Sequence, residues 1–229
     1  MVRLAECGST NTWALRHLAQ LAHGAVVIAE RQTAGRGRDG RTWSAPPGTM
    51  TFSVVLDPGR ADARAIALAA GLACIHAIAD AMPGLAPDLM LKWPNDVLLR
   101  HRKLAGILCE GADGRLVVGI GLNRAAELPA GIVGTSLHRH GQPPEADALL
   151  LAIRSYLMQA VGLCGLRGLD PLLPQLRARD ALLGRSLSVE VRDRRIEGTG
   201  GGIDADGRLL VIVPGGGIAE IEAGHITAW

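Results

Sequence analysis

Between residues 89 and 122 the chain leaves itself almost no slack. Apolar stretches at 89–93, 97–99, 104–110 and 116–122 are separated only by Pro94-Asn95-Asp96, His101-Arg102 and Ala112-Asp113-Gly114. Breaks this short and polar reverse the chain but cannot hold a crossover helix, so successive strands must run antiparallel. The other segments have to be fitted around this meander. Residues 2–7 form a short strand, and Ser9-Thr10-Asn11 opens a helix whose apolar face is Trp13, Leu15, Leu18, Ala19 and Leu21. Residues 25–30 and 50–56 are strands. Residues 32–48, rich in Gly, Arg and Pro, are a loop, and 61–81 is an Ala-rich helix ending before Pro83-Gly84.

Downstream, 129–145 is a loop and helices follow at about 145–161 and 170–183, the second stopped by Gly184. From Arg185 the texture changes to short strands at 187–191, 195–198, 209–213 and 219–221. Turns are expected at Gly200-Gly201-Gly202, Asp204 to Gly207 and Gly215-Gly216-Gly217. The expected fold is α+β: a mixed, largely antiparallel sheet flanked by helices over 1–183, with a small all-β barrel over 184–229. A barrel of that size is too small to be very stable alone and should dock on the larger unit.

Bulk properties exclude several classes. A net charge of +2 argues against a general nucleic-acid binder, so any strong positive field must be local. Cys7, Cys74, Cys109 and Cys164 are far apart and form no Cys-x-x-Cys pair, which points to a reducing compartment. The N-terminus has no apolar signal region, and the apolar run around 65–79, interrupted by Gly71 and His76, reads as too short to span a bilayer. A cytoplasmic protein without a membrane partner is expected.

The chain has twenty-two arginines but only two lysines, Lys92 and Lys103. Where lysine survives, the position needs a compact ammonium rather than a planar fork. Both sit in distinctive surroundings, Lys92-Trp93-Pro94-Asn95-Asp96 and Lys103-Leu104-Ala105-Gly106-Ile107-Leu108. A third segment, Gly35-Arg36-Gly37-Arg38-Asp39-Gly40-Arg41, combines close-approach glycines with guanidinium groups suited to phosphate or carboxylate. An anion should order this loop. The Pro46-Pro47 run that follows cannot begin a helix, so the loop is no dinucleotide fingerprint.

Ser9, Thr10 and Asn11 can cap a helix or face a ligand rich in amide groups, and Gln32 adds another amide. Gly106 within a strand marks close approach of a ligand or another backbone, and Gly119-Ile120-Gly121-Leu122-Asn123 repeats the signal. Trp13, Trp43 and Trp93 lie beside these segments, as expected of a pocket for an apolar molecule with a polar head. His138-Arg139-His140 lacks further ligands at metal spacing, so no protein metal cluster is expected. No motif for a covalent nucleophile is present.

The ordered set of these segments, from Ser9-Thr10-Asn11 through Gly35 to Trp43, Lys92 to Asp96, Lys103 to Leu108 and Gly119 to Asn123, resembles the biotin protein ligases. The resemblance implies a catalytic fold like class II aminoacyl-tRNA synthetases, followed by an SH3-like barrel. It implies two half-reactions. The biotin carboxylate attacks the α-phosphate of Mg-ATP to give biotinyl-5′-AMP and pyrophosphate. A lysine of biotin carboxyl carrier protein then attacks the acyl carbon and releases AMP. ATP, Mg2+ and biotin are thus the expected small molecules, with no tightly bound prosthetic group.

Carried over by motif, Ser9, Thr10, Asn11 and Gln32 would meet the ureido head of biotin. Gly35, Arg36, Gly37, Arg38 and Arg41 would order over biotin and phosphates, and Trp43 would cover nucleotide and biotin tail. Lys103 would contact the reacting carboxylate and α-phosphate, with Gly106 beside it, and Lys103 and Arg38 would be the catalytic pair. Asn95 and Asp96 fall near Mg-ATP, and Lys92 and Asn123 near phosphate or adenosine.

Three features depart from the pattern: Asp39 in the basic loop, His225 where the family has Glu, and no basic extension after Trp229. The motifs begin within ten residues of Met1, leaving no room for a winged helix-turn-helix, so a ligase without DNA binding is expected, monomeric or homodimeric. A lipoate or octanoate ligase or transferase, and an RNA-binding module, are the competing readings.

Overall fold

The computed structural model describes every residue except Arg60 and Asp193. Strands β1 (Val2–Cys7), β2 (Val26–Gln32), β3 (Thr49–Leu56), β4 (Leu89–Lys92), β5 (Asp96–Leu99), β6 (Arg102–Ala112) and β7 (Arg115–Asn123) form one sheet in the order β1-β2-β3-β7-β6-β5-β4. Only β1 and β2 run parallel; the meander β4 to β7 is antiparallel throughout, as its short breaks require.

Alternation along each strand assigns the two faces of this sheet. Phe52, Val54 and Leu56 of β3 and Val118, Ile120 and Leu122 of β7 join a core built with α2 (Ala63–Ala81) and α3 (Ala146–Arg167). The opposite face carries Val27, Val55 and Val117, covered by Ala14, Leu18 and Leu21 from the segment of α1 (Thr10–Arg16) and the turn after it. Helix α1 is only seven residues long. It was expected to continue through Leu21, but the His17 ring stacks on Trp13 at 3.9 Å and its Nδ1 lies 2.8 Å from the Trp13 carbonyl. The side chain thus occupies the acceptor that a further helical turn would use. A short helix leaves part of its sheet face bare, and the candidate site lies there.

By length and hydropathy alone, α2 and α3 could both cross a membrane, so the sequence argument from shortness does not hold. In the fold α2 is a core helix, buried along most of its length against the sheet and α3. Helix α4 (Leu173–Arg179) also ends before its expected stop, and Gly184 lies in the turn beyond it.

The C-terminal strands β8 (Ser186–Val191), β9 (Arg194–Ile203), β10 (Leu209–Ile212), β11 (Ile218–Ile221) and β12 (His225–Ala228) form an antiparallel sheet in the order β11-β10-β9-β8-β12. Its edges β11 and β12 are not paired with each other among the described residues. Strand β12 was not foreseen. Gly200-Gly201-Gly202, expected as a turn, lies inside β9. A Cβ on Gly200 would come within 2.0 Å of the Leu182 carbonyl oxygen, so glycine serves backbone packing there rather than chain reversal.

Leu187, Val189, Ile203, Leu209 and Val211 merge with the main core, so the second sheet shares apolar burial with the first. One polar tie is Trp93: its buried Nε1 donates to the Gly207 carbonyl at 3.0 Å. Trp93→Phe leaves that carbonyl without its partner and should cost about 1–3 kcal/mol. Urea denaturation followed by far-UV circular dichroism should show the lower midpoint, with C-terminal amides losing hydrogen-exchange protection first.

Candidate active site

Sheet register lays out the floor of a cavity of about 200 Å³. Across neighbouring strands Lys92 pairs with Asp96, Asp96 with Gly106, Gly106 with Gly121, and Gly121 with Thr51. One step along, Leu108, Gly119 and Ser53 form the next row. These rows share the face that short α1 leaves open. A Cβ on Gly119 would lie 2.5 Å from Asn11 Oδ1, and one on Gly121 2.3 Å from the Trp43 indole. The glycines therefore let an amide and an aromatic plate rest directly on backbone.

Lys103 reaches this face through a register shift between Val97 and Leu98, whose partners are Ala105 and Lys103. Such a bulge re-aims the side chains beyond it. Lys103 Nζ lies 2.6 Å from Asp96 Oδ1 and 5.4 Å from the Trp43 ring centre. Lys92 stands nearby, with its Nζ 4.8 Å above the Trp229 ring. Burial pulls its ammonium below the usual lysine pKa; Asp96 opposes the shift and Lys103 reinforces it.

At the other end, Ser9 occupies the N-cap position of α1 without a side-chain capping bond; the residue is buried, lines the cavity, and its hydroxyl has no partner among the described residues. Gln32 Oε1 accepts from Thr10 N at 2.8 Å and from Thr10 Oγ1 at 3.1 Å, leaving its Nε2 donors for the cavity. Asn11 is more committed. Its Nδ2 donates to the Leu108 carbonyl and to Glu110 Oε2, and its Oδ1 accepts from Ser53 at 2.7 Å. The head of the site is thus built from prealigned amide and hydroxyl groups.

The basic loop folds back on itself. Arg36 and Thr42 form a bridge, Gly37 N donates to the Arg41 carbonyl, and Trp43 N donates to the Gly35 carbonyl. Its tip places Asp39 at φ 55° and Gly40 at φ 73°. Aspartate tolerates that left-handed region better than most residues, which gives Asp39 a backbone reason to depart from a basic pattern. Arg36 pairs with Glu110 at 2.8 Å, and Arg41 Nη1 lies 3.4 Å from His225 Nδ1. The Arg38 side chain has no hydrogen bond or ion pair among the described residues, so its guanidinium is available to a ligand.

The cavity wall includes Ser9, Thr10, Asn11, Gln32, Arg36, Gly37, Arg38, Arg41, Trp43, Lys92, Asn95, Asp96, Lys103 and Gly106, so nearly all the sequence candidates converge. Gly35 does not line it; it closes the base of the loop behind Trp43. Asn123 lies outside as well, its Nδ2 bonded to the Thr135 carbonyl at 3.1 Å. Asn95 lines the wall but spends its amide on the Ile107 carbonyl at 2.6 Å, pinning the turn to β6. Of the three tryptophans read as pocket surface, Trp43 and Trp93 line the wall, Trp93 while also packed into the main core, and Trp13 packs on the small α1 core instead.

Sequence reading missed Thr51, Gly224, His225 and Ile226 in the wall, and Glu110 just behind it. Glu110 joins Asn11 to Arg36, a long-range link for which the sequence carries no local signal.

Burial pushes the Cys74 and Cys109 thiols up to about 12 and that of Cys164 to about 11. His138 and His140 turn to different partners, Ser136 with Glu127 and Thr135 respectively. Among the described residues no group of three His, Cys, Asp or Glu side chains could hold a metal.

A bare sheet face, a lysine set by a bulge and an arginine loop above it make a site suited to a carboxylate or phosphate. The chain belongs to the biotin/lipoate A/B protein ligase family, whose sequence profile matches residues 5–123. Within the family it is 35% identical to the biotin–[acetyl-CoA-carboxylase] ligase of Mycobacterium tuberculosis, over 98% of this chain and 87% of that one. It is also 35% identical to the enzyme of that name from Paracoccus denitrificans, over 93% and 94%. It is 33% identical to the bifunctional ligase/repressor BirA of Escherichia coli, and the match spans 66% of that protein's length. The structure of biotin protein ligase from Aquifex aeolicus in complex with biotin and ATP superposes with a TM-score of 0.88 at 27% identity, over 99% of this chain and 97% of that one.

Two predictions test this geometry. Glu110→Gln should leave the fold intact but weaken the Arg36 tether, raising the dissociation constant for biotin roughly 3- to 10-fold, as read by calorimetry. Gly121→Ala should drive the Trp43 indole off the sheet, visible as a red-shifted tryptophan emission with ligand affinity reduced at least about tenfold.

Proposed function

We propose that this protein is an ATP-dependent ligase that activates biotin as biotinyl-5′-AMP and transfers it to a lysine of biotin carboxyl carrier protein. The observation that carries the reading is the convergence of Lys103, Arg38 and the polar head formed by Ser9, Thr10 and Gln32 on one cavity with a glycine floor. Relatives named as biotin ligases and a superposable biotin and ATP complex support it.

In this reading Ser9, Thr10, Asn11 and Gln32 hold the ureido head, and the apolar chain of biotin runs along the Trp43 indole that rests on Gly121. The carboxylate then reaches Lys103. Its oxygen attacks the α-phosphorus, the bond from that phosphorus to the bridging oxygen breaks, and pyrophosphate leaves with the electron pair. Lys103 and Arg38 stabilise the charge building on the phosphoryl oxygens, and Lys92 adds positive field from β4. Arg36 and Arg41 hold the basic loop over the intermediate. The carrier lysine next attacks the acyl carbon and AMP departs. No enzyme nucleophile is required, in keeping with the high thiol pKa values; catalysis rests on positioning and preorganised charge.

Magnesium would enter with the nucleotide. Asp96, already held by Lys103, is the carboxylate beside the reacting groups, and the phosphates would supply most of the metal's ligands. We read residues 1–183 as the catalytic unit and 184–229 as the family's SH3-like barrel, and place the protein in the cytoplasm. Asn123, though outside the wall, would act by fixing the segment that follows β7 near the nucleotide.

Incubation of the protein with Mg-ATP and, separately, biotin, lipoate or octanoate should yield biotinyl-AMP alone by mass spectrometry. A lipoyl or octanoyl adenylate would move the substrate assignment. Lys103→Ala should slow adenylate formation by about two to three orders of magnitude while calorimetry shows biotin still binding; normal turnover would remove its catalytic role.

A further inference from the structure

The fourth tryptophan, Trp229, is not part of the cavity wall, yet its ring lies against one of the two lysines that are. We propose that Trp229 is a positioning residue for Lys92: its indole face fixes the ammonium at the cavity and leaves the N–H donors free for a substrate oxygen. The inference rests on the adenylating activity proposed above and gives the C-terminal sheet a part in it.

Three observations support this. First, the fold places the ring. The β12–β8 register shifts between Ile226 and Ala228, and Thr227 Oγ1 donates to the Ser188 carbonyl at 3.1 Å, which pins the irregularity. A shift of this kind re-aims the residues beyond it, and Trp229 is left half-buried against the main core. Second, the ring gathers groups from three other segments. Lys92 Nζ of β4 stands 4.8 Å from its centre, Arg185 Cζ from the turn before β8 at 5.4 Å, and the His101 ring from the β5–β6 turn at 6.2 Å. A cation this close to an indole centre is drawn to its electron-rich face. Third, the Lys92 ammonium has no hydrogen bond or ion pair among the described residues, whereas Lys103 is tied to Asp96 at 2.6 Å. A carboxylate takes up donors and offsets charge; an aromatic face holds the ammonium and does neither. Lys92 is thus kept in place with its full charge and donors on offer. Without the ring, a ligand would have to order the flexible lysine stem itself.

Because the chain has only two lysines, the contact can be read directly by NMR of protein labelled with carbon-13 at the lysine ε-carbon. Ring currents should hold both ε-proton signals upfield of a free lysine, one near Trp43 and one near Trp229. The Lys92 signal is the one that Lys92→Met removes. Trp229→Leu should return it to the free-lysine position, and Trp229→Phe should keep most of its shift. In single turnovers at saturating Mg-ATP and biotin, Trp229→Leu should slow biotinyl-AMP formation about tenfold and Trp229→Phe at most about twofold. Biotin affinity by calorimetry should be unchanged in both. Trp229→Leu combined with Lys92→Met should be no slower than Lys92→Met alone, a result that general destabilisation cannot produce. A Lys92 signal that stays put in Trp229→Leu overturns the contact, and losses that multiply in the double variant overturn the positioning role. If the wild type makes biotinyl-AMP and Trp229→Leu makes it equally fast, the inference falls and the ligase reading stands. If the Lys92 signal moves as expected but the wild type makes no adenylate, the ligase reading falls and the role of Trp229 in it falls too.

Discussion

The rest of the site depends on the absence of side chains at Gly106, Gly119 and Gly121. Register places the three on one face of the β6–β7 pair, and two of them leave less than 2.6 Å for a Cβ before it meets Asn11 or Trp43. Remove that allowance and the amide of Asn11 loses its seat, Trp43 loses its shelf, and the basic loop anchored through Trp43 and Gly35 shifts with them. Glycine weakens a strand, so the cost is met elsewhere: β7 lies between β3 and β6 in the sheet interior, and its opposite face carries Val118, Ile120 and Leu122 in the main core.

Charge is arranged as deliberately as shape. Lys103 is held by Asp96, Arg36 by Glu110, and Arg41 stands beside His225, while the Arg38 side chain and Arg64 Nη1 have no such partner among the described residues. The held groups define geometry before any ligand arrives, which limits the reorganisation needed as negative charge develops. The unheld ones are where binding energy from an anion is gained.

The central meander was legible because two- and three-residue breaks allow only one kind of connection, and nearly every candidate in the cavity wall was legible because unusual residue types cluster in short segments. What was hidden depends on tertiary contact. The end of α1 is decided by a histidine ring on Trp13 rather than by propensity. The glycine run in β9 looks like a turn, yet answers the approach of the Leu182 carbonyl. Trp93 lines the wall as its segment suggests, but nothing local shows that its indole N–H ties to Gly207. Glu110 is an ordinary polar position in an alternating strand, and its role exists only because the fold brings Asn11 and Arg36 to it.

The cavity wall runs from Ser9 to Ile226, so almost the whole chain must be threaded before the last contact closes. Contacts of such long sequence separation form slowly. A small molecule bridging them acts as a removable crosslink, worth about 2.7 kcal/mol at a hundredfold excess over its dissociation constant. Occupancy would then be felt by both sheets at once, because the wall draws on strands of each.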